Sequence, residues 1–266
     1  MPVAAKLVAL QDRIRRIERP GALRHGVLPF GVDAIDRALP GGGLALGALH
    51  EIHGVGADEE DGAAAAGFAA GIAGRIAKGD GGGLVLWCLK RGDLYGPGLA
   101  EHGLNPARIV RVVAPRDDDI LWALEEGLRP NSPGGIAAVI GEIGKLPMVA
   151  GRRLQLAAER SCVTALLLRR WRTGAEATAE RGRPSAAMTR WRVAAIPSLP
   201  GNEPGIGTPR WRVELLRCRG AEAANLTWDA EVADASGLIS VPAELADRPA
   251  APRRFAAGLE IRRAVG

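Results

Sequence analysis

The sequence predicts an α/β fold in which a mainly parallel sheet is flanked by helices and continued by an antiparallel extension on its C-terminal side. Three observations carry that prediction. Strand-like and helix-like segments alternate between about residues 49 and 171, the order that builds a parallel sheet covered on both faces. One helix, over 62–79, consists largely of Gly and Ala and can lie close against a sheet. After Trp171 the pattern changes, and three strand-like segments follow one another across Gly/Pro-rich turns.

Residues 4–19, AAKLVALQDRIRRIER, set Leu7, Leu10, Ile14 and Ile17 at helical spacing with arginines on the other face, and Pro20-Gly21 ends the helix. This arm, 1–20, reads either as a helix lying on its own domain or as one that docks on a neighbouring protein. The main domain spans 21–241. LHEIHGV (49–55) reads as a strand, 62–79 as the helix of small residues, GGLVLWCLK (82–90) and IVRVVAP (109–115) as strands. DDDILWALEEGLR (117–129) is an amphipathic helix with its acidic residues at the end the helix dipole favours. GIAAVIGEI (135–143) is a strand, GRRLQLAAERS (151–161) a helix and CVTALLLRRW (162–171) a strand. Residues 173–187 read as a polar loop, followed by strands over 189–197, 209–220 and 225–232 that form the antiparallel extension. The tail, 242–266, contains PAAPRR and reads as flexible and basic.

Composition narrows the classes. The three cysteines, Cys88, Cys162 and Cys218, are far apart and suit idle thiols in a reducing compartment. The uncharged run Gly62–Gly74 is too short to cross a bilayer, and no secretory signal opens the chain; a cytoplasmic protein that does not engage a membrane is expected. The net charge of +5 conceals an asymmetry. Residues 151–220 hold fourteen arginines against five glutamates, an excess that attracts a polyanion or an acidic partner at long range.

The entry LPFGVDAIDRALPGGGLALGALHEIHG (28–54), with Gly31, Asp33, Asp36, Gly41, Gly42, Gly43 and Gly47, resembles the segment that precedes the phosphate loop in RecA and its relatives. A loop of the form G-x-x-x-x-G-K-[ST] should follow. The chain instead reads Gly54-Val55-Gly56-Ala57-Asp58-Glu59-Glu60-Asp61, with Glu59 for the second glycine, Glu60 for the lysine and Asp61 for the hydroxyl residue. Backbone amides and a lysine normally neutralise the triphosphate there, whereas four carboxylates repel it. The cluster reads as a solvated acidic loop, with a divalent-cation site as the alternative. Gly141-Glu142 stands where the magnesium-organising aspartate would be, and Lys90-Arg91 where RecA has its water-activating glutamate. The resemblance therefore implies a RecA-like core with a degenerate nucleotide site, no cofactor and no ATP hydrolysis. His50 and His53 fall on opposite faces of a strand and suit no shared metal, His25 and His102 are isolated, and no G-x-S-x-G occurs. Neither a metal site nor an enzyme is expected.

A triplet recurs at intervals of twenty residues: Arg170-Trp171-Arg172, Arg190-Trp191-Arg192 and Arg210-Trp211-Arg212. On strands each tryptophan points to one face and its arginines to the other. Two readings stand: core tryptophans with solvated arginines, or a polyphosphate-binding strip.

Several long runs resemble the ImuA family of RecA-like mutagenesis accessory proteins: WCLKRGDLYGPGLAEHGLNPARIVRV (87–112), AAVIGEIGKL (137–146), RRLQLAAERSCVTALLLRRWR (152–172), TRWRVAAIPS (189–198) and PRWRVELLRCRG (209–220). The resemblance implies a role in SOS-induced translesion synthesis. Its implied partners are ImuB, then RecA and single-stranded DNA, with an error-prone DnaE-type polymerase reached through ImuB; self-association is left open. The segments in register with RecA's DNA-binding loops are Leu146–Arg153, which is shortened, and Arg172–Met188. The DNA or partner candidates are thus Arg152, Arg153, Arg170, Arg172, Arg181, Arg183, Arg190, Arg192, Arg210 and Arg212. The arm residues Leu7, Leu10, Ile14 and Ile17 are the candidates for docking on ImuB or RecA. A second reading is a SulA-like cell-division inhibitor that binds FtsZ, since that family also has a RecA-like fold without ATPase chemistry.

Overall fold

The computed structural model describes residues 25–79, 82–130, 135–198, 207–221, 225–232 and 236–241. The expected arm and tail lie outside the described residues. In order, the elements are β1 (Val27–Leu28), α1 (Asp33–Asp36), β2 (Leu44–Ala45), β3 (Leu49–His53), α2 (Asp58–Lys78), β4 (Leu84–Leu89) and α3 (Gly96–Glu101). After a 3-10 turn at Pro106–Arg108 come β5 (Ile109–Val113), α4 (Asp117–Gly127), β6 (Ile136–Ile143), α5 (Met148–Ser161), β7 (Thr164–Arg169) and α6 (Gly174–Arg181). The last strands are β8 (Thr189–Ile196), β9 (Arg210–Cys218), β10 (Leu226–Val232) and β11 (Ile239–Ser240).

Nine strands form the main sheet in the order β11-β10-β9-β8-β3-β7-β6-β4-β5, while β1 and β2 pair separately. From β5 across to β8 each strand pairs parallel with the next, and β9, β10 and β11 join antiparallel. This is an α/β architecture compatible with a RecA-like core. The antiparallel extension starts one strand later than expected: β8 runs parallel to β3, and the reversal falls between β8 and β9. A strand can be both because each of its edges pairs with a different neighbour, and spacing alone does not reveal that.

The core lies in two layers. On one face α2 packs on Trp87, Ile140, Leu166, Trp191 and Val213. Its small residues permit the approach: a Cβ at Gly67 would lie 3.0 Å from the Trp211 ring of β9, and one at Gly74 would lie 2.4 Å from the Gly103 carbonyl oxygen in the loop after α3. Phe68 of α2 sits 5.7 Å from Trp191 and 6.5 Å from Trp211, and Phe30 reaches Trp191 at 5.4 Å. On the other face α4 and α5 cover Leu49, Cys88, Val139 and Leu167.

Three local expectations need correction. The helix of small residues begins at Asp58 rather than Gly62, so the acidic cluster is its first turn, where the dipole favours carboxylates, and not a solvated loop. The expected loop 173–187 contains α6. Thr173 caps it by accepting the Glu176 N–H at 3.2 Å, and the Glu176 carboxylate accepts the Arg172 N–H at 2.8 Å. The T-x-x-E spacing that marks such a start is present in the sequence at 173–176. Finally, β7 ends at Arg169, so Arg170-Trp171-Arg172 lies beyond the strand and does not alternate across it.

Candidate functional site

The C-terminal ends of β3, β7, β6 and β4 converge where the sequence places the degenerate nucleotide site. Between β3 and α2 the turn Gly54–Ala57 is closed by its own neighbours. The Asp61 carboxylate accepts the Val55 N–H at 3.3 Å and the Ala195 N–H at 2.9 Å, and the Asp58 N–H donates to the Trp171 carbonyl at 2.8 Å. Arg181 donates to the Val55 carbonyl. A Cβ at Gly54 would stand 2.8 Å from that of Asp61, and one at Gly56 would run into the Glu60 carboxylate. The Val55 and Asp58 amides, in the stretch where a phosphate loop would cradle phosphate, already have acceptors.

The cation at this position comes from the chain itself. Arg170, immediately after β7, donates from Nε to Asp58 at 2.8 and 2.9 Å, from Nη2 to Asp93 at 3.0 Å and from Nη1 to Glu142 at 2.6 Å. Glu142 is 1% exposed on β6, and its other oxygen accepts the Trp87 indole N–H at 2.9 Å. Burial raises the Glu142 pKa, and Arg170 and the Trp87 bond only partly offset it. For Arg170 burial acts downward, but the hydrogen bonds to Asp58, Asp93 and Glu142 outweigh it and the net shift is upward. Glu142, expected at the position of a metal-organising acid, thus faces a guanidinium. Lys90 pairs with Asp117 at 2.6 Å, Arg91 is exposed, and Gly141 admits Leu124, whose Cδ1 a Cβ would meet at 2.4 Å.

A second buried network adjoins the first. Glu51, in the middle of β3, accepts from Arg169 at 3.4 Å, from Arg190 at 3.2 Å and from Ser185. Arg169 also pairs with Glu180 of α6 at 2.9 Å and lies 5.7 Å over the Trp171 ring. Arg190 donates to the carbonyls of Arg181 and Arg183 at 2.9 and 3.0 Å. The network fastens α6 and the segment after it to the end of the sheet. Glu51, Arg169 and Glu180 were not singled out from sequence. A lone carboxylate inside the fully buried strand LHEIH was the signal that could have found them, since a buried charge requires a partner.

The histidines of that strand are structural. The Trp191 indole donates to Thr189 Oγ1 at 2.7 Å, Thr189 Oγ1 lies 2.7 Å from His50 Nδ1, and His50 Nε2 lies 2.8 Å from the Ala45 carbonyl. The chain of donors fixes a neutral His50 with its proton on Nε2. Burial pushes His50 down to about 4. His53, its ring tilted against Trp171 at 4.9 Å, is pushed down to about 3, by burial first and then by Arg190, Arg181 and Arg192.

The candidate arginines are spread over several environments. Arg170 is internal as described; Arg192 pairs with Glu214, Arg210 with Glu231 at 3.6 Å, and Arg212 with Asp229 at 2.7 Å. The tryptophans Trp171, Trp191 and Trp211 are all buried. Arg153 pairs with Glu125, and Arg152 and Arg172 are exposed. Arg181, Arg183, Arg190 and Arg192 line one open basin, joined there by Arg217, which sequence reasoning had not selected. Among the described residues no three His, Cys, Asp or Glu side chains group as a metal would require, and no helix is long and apolar enough to cross a membrane.

The fold and this end of the sheet define the class, an α/β protein compatible with a RecA-like core whose central cation is an arginine. No family model matches the chain. Over 134 residues it is 42% identical to Protein ImuA from each of two strains of Caulobacter vibrioides. That stretch is 50% of this chain and 53% of those proteins, so the chain spans about half the length of the curated relatives it matches. The similarity supports membership of the ImuA family.

Proposed function

We propose that this chain is a non-catalytic accessory protein of SOS-induced translesion DNA synthesis that acts by binding ImuB. The observation that carries the reading is the 42% identity to Protein ImuA. The absence of catalysis is inferred from the site. Glu59, Glu60 and Asp61 stand in the stretch read as a phosphate loop, the Val55 and Asp58 amides have internal acceptors, and Arg170 is ion-paired with Asp58 and Glu142. RecA is the next partner to examine, and an error-prone DnaE-type polymerase would be reached through ImuB. The test is co-purification of the full chain with ImuB, alongside calorimetry with Mg-ATP. Capture of ImuB without heat of ATP binding is expected. ATP hydrolysis above background, or no capture of ImuB, overturns the reading.

A further inference from the structure

We infer that the basin between the end of α6 and strands β8 and β9 is a phosphate-binding site that takes the backbone of single-stranded nucleic acid. Five arginines line it, Arg181, Arg183, Arg190, Arg192 and Arg217, and among the described residues no carboxylate does. Adjacent Arg169 shares their counter-charges. Among the described residues, these six cations are paired with three carboxylates: Glu51 serves Arg169 and Arg190, Glu180 serves Arg169 and Arg183, and Glu214 serves Arg192. Arg181 and Arg217 have only carbonyl acceptors, those of Val55 and Ser185.

Two details mark an anion's place rather than a solvated surface. Among the described residues, the Nε–H groups of Arg181 and Arg192 are buried and have no partner. Burial lowers the Arg181 pKa, and the nearby Arg192 charge lowers it further. Two cations held close enough to oppose each other's charge are relieved by an anion between them, and guanidinium forks match phosphate oxygens.

The lining also discriminates among phosphates. Its apolar contribution is limited to Pro184 and Leu216 and it has no aromatic ring, so a nucleotide base finds no stacking surface. The basin is open rather than enclosed, which suits a strand passing through it. Contacts of this kind position a backbone and do not read sequence. The choice of nucleic acid as the source of the phosphates rests on the lesion-bypass reading; the phosphate chemistry does not.

The test uses the full chain, a fluorescent thirty-nucleotide oligothymidylate and anisotropy at several salt concentrations. Arg183→Gln with Arg217→Gln removes the two most exposed guanidinium groups and leaves the Glu51 network in place. Affinity is expected to fall at least tenfold, and the salt slope to become shallower by about 1.4, the value for two lost single-strand phosphate contacts. An Arg37→Gln, Arg129→Gln variant carries the same charge change on other faces and is expected to bind as wild type. Equal affinity and slope in the basin variant overturn the proposal. So does the absence of oligothymidylate binding by the wild type; if tripolyphosphate then raises its melting temperature but not the basin variant's, the source is a free polyphosphate. A failure of ImuB capture by the wild type counts against the accessory reading alone.

Discussion

Replacing Arg170 with alanine is the most informative perturbation of the site. The substitution leaves Glu142, which is almost fully buried, facing Asp58 and Asp93 without a cation. Removing one partner of a buried ion pair costs about 3–5 kcal/mol. Solvent reaches 23% of the Arg170 side chain and 43% of that of Asp93, which places the expected loss at the lower end, about 3 kcal/mol. For a domain of this size that is a fall in Tm of roughly 6–12 °C. The pH dependence gives a second signature. Glu142 already has a raised pKa, by burial against the counter-effect of Arg170, and losing Arg170 raises it further. A carboxyl whose folded pKa exceeds its unfolded value binds its proton more tightly in the folded state, so falling pH restores stability through that window. The deficit of the alanine variant is therefore larger at pH 8 than near pH 5, and Arg170→Ala with Glu142→Gln recovers part of it at pH 8. Urea titrations of the three proteins at both pH values are the assay. An Arg170→Ala variant within about 1 kcal/mol of wild type at both pH values would refute the view that Arg170 neutralises this site.

Two further perturbations probe the frame around it. His50 and His53 are held neutral at about 4 and about 3; a base with a lowered folded pKa stabilises above its unfolded pKa and loses that contribution as pH falls toward the folded one. Each histidine thus removes about 3 kcal/mol between pH 7 and pH 4, and His50→Gln should flatten the slope of stability against pH measured by urea titration; an unaltered slope contradicts the assignment. Gly74→Ala gains about 1 kcal/mol of helix propensity but drives a Cβ against the Gly103 carbonyl, so a net destabilisation of about 1–2 kcal/mol is expected, and a higher Tm in the variant would show that α2 can move away.

What the sequence made legible follows from which interactions are local. Alternation of strand and helix, and the small residues of α2, act over a few residues and predicted the parallel sheet and its packing. The acidic run Asp58, Glu59, Glu60, Asp61, which forms the first turn of α2, was equally plain. The destination of the charges was not. Arg170 lies 112 residues from Asp58, 77 from Asp93 and 28 from Glu142, and no spacing rule joins them. Arg190 resembles Arg170 in its triplet yet reaches Glu51, because its strand lies beside β3. Triplet periodicity therefore grouped arginines that the sheet separates.

That separation bears on how this end of the sheet is held. The acidic first turn of α2 would repel Glu142 and Asp93 if nothing stood between them. Arg170 meets that requirement from within the chain, at all times and at any nucleotide concentration. The sheet ends, α2 and the segment bearing Arg170 are consequently held in one arrangement without a ligand, and Arg169, the preceding residue, anchors α6 through Glu180 in the same way. The basin depends on that anchorage, because Arg181 is the next residue after Glu180 and Arg183 follows two further on. Consecutive arginines at the end of one strand thus serve two purposes. Arg170 joins Asp58, Asp93 and Glu142, and Arg169 fixes the helix end that presents the basin's cations.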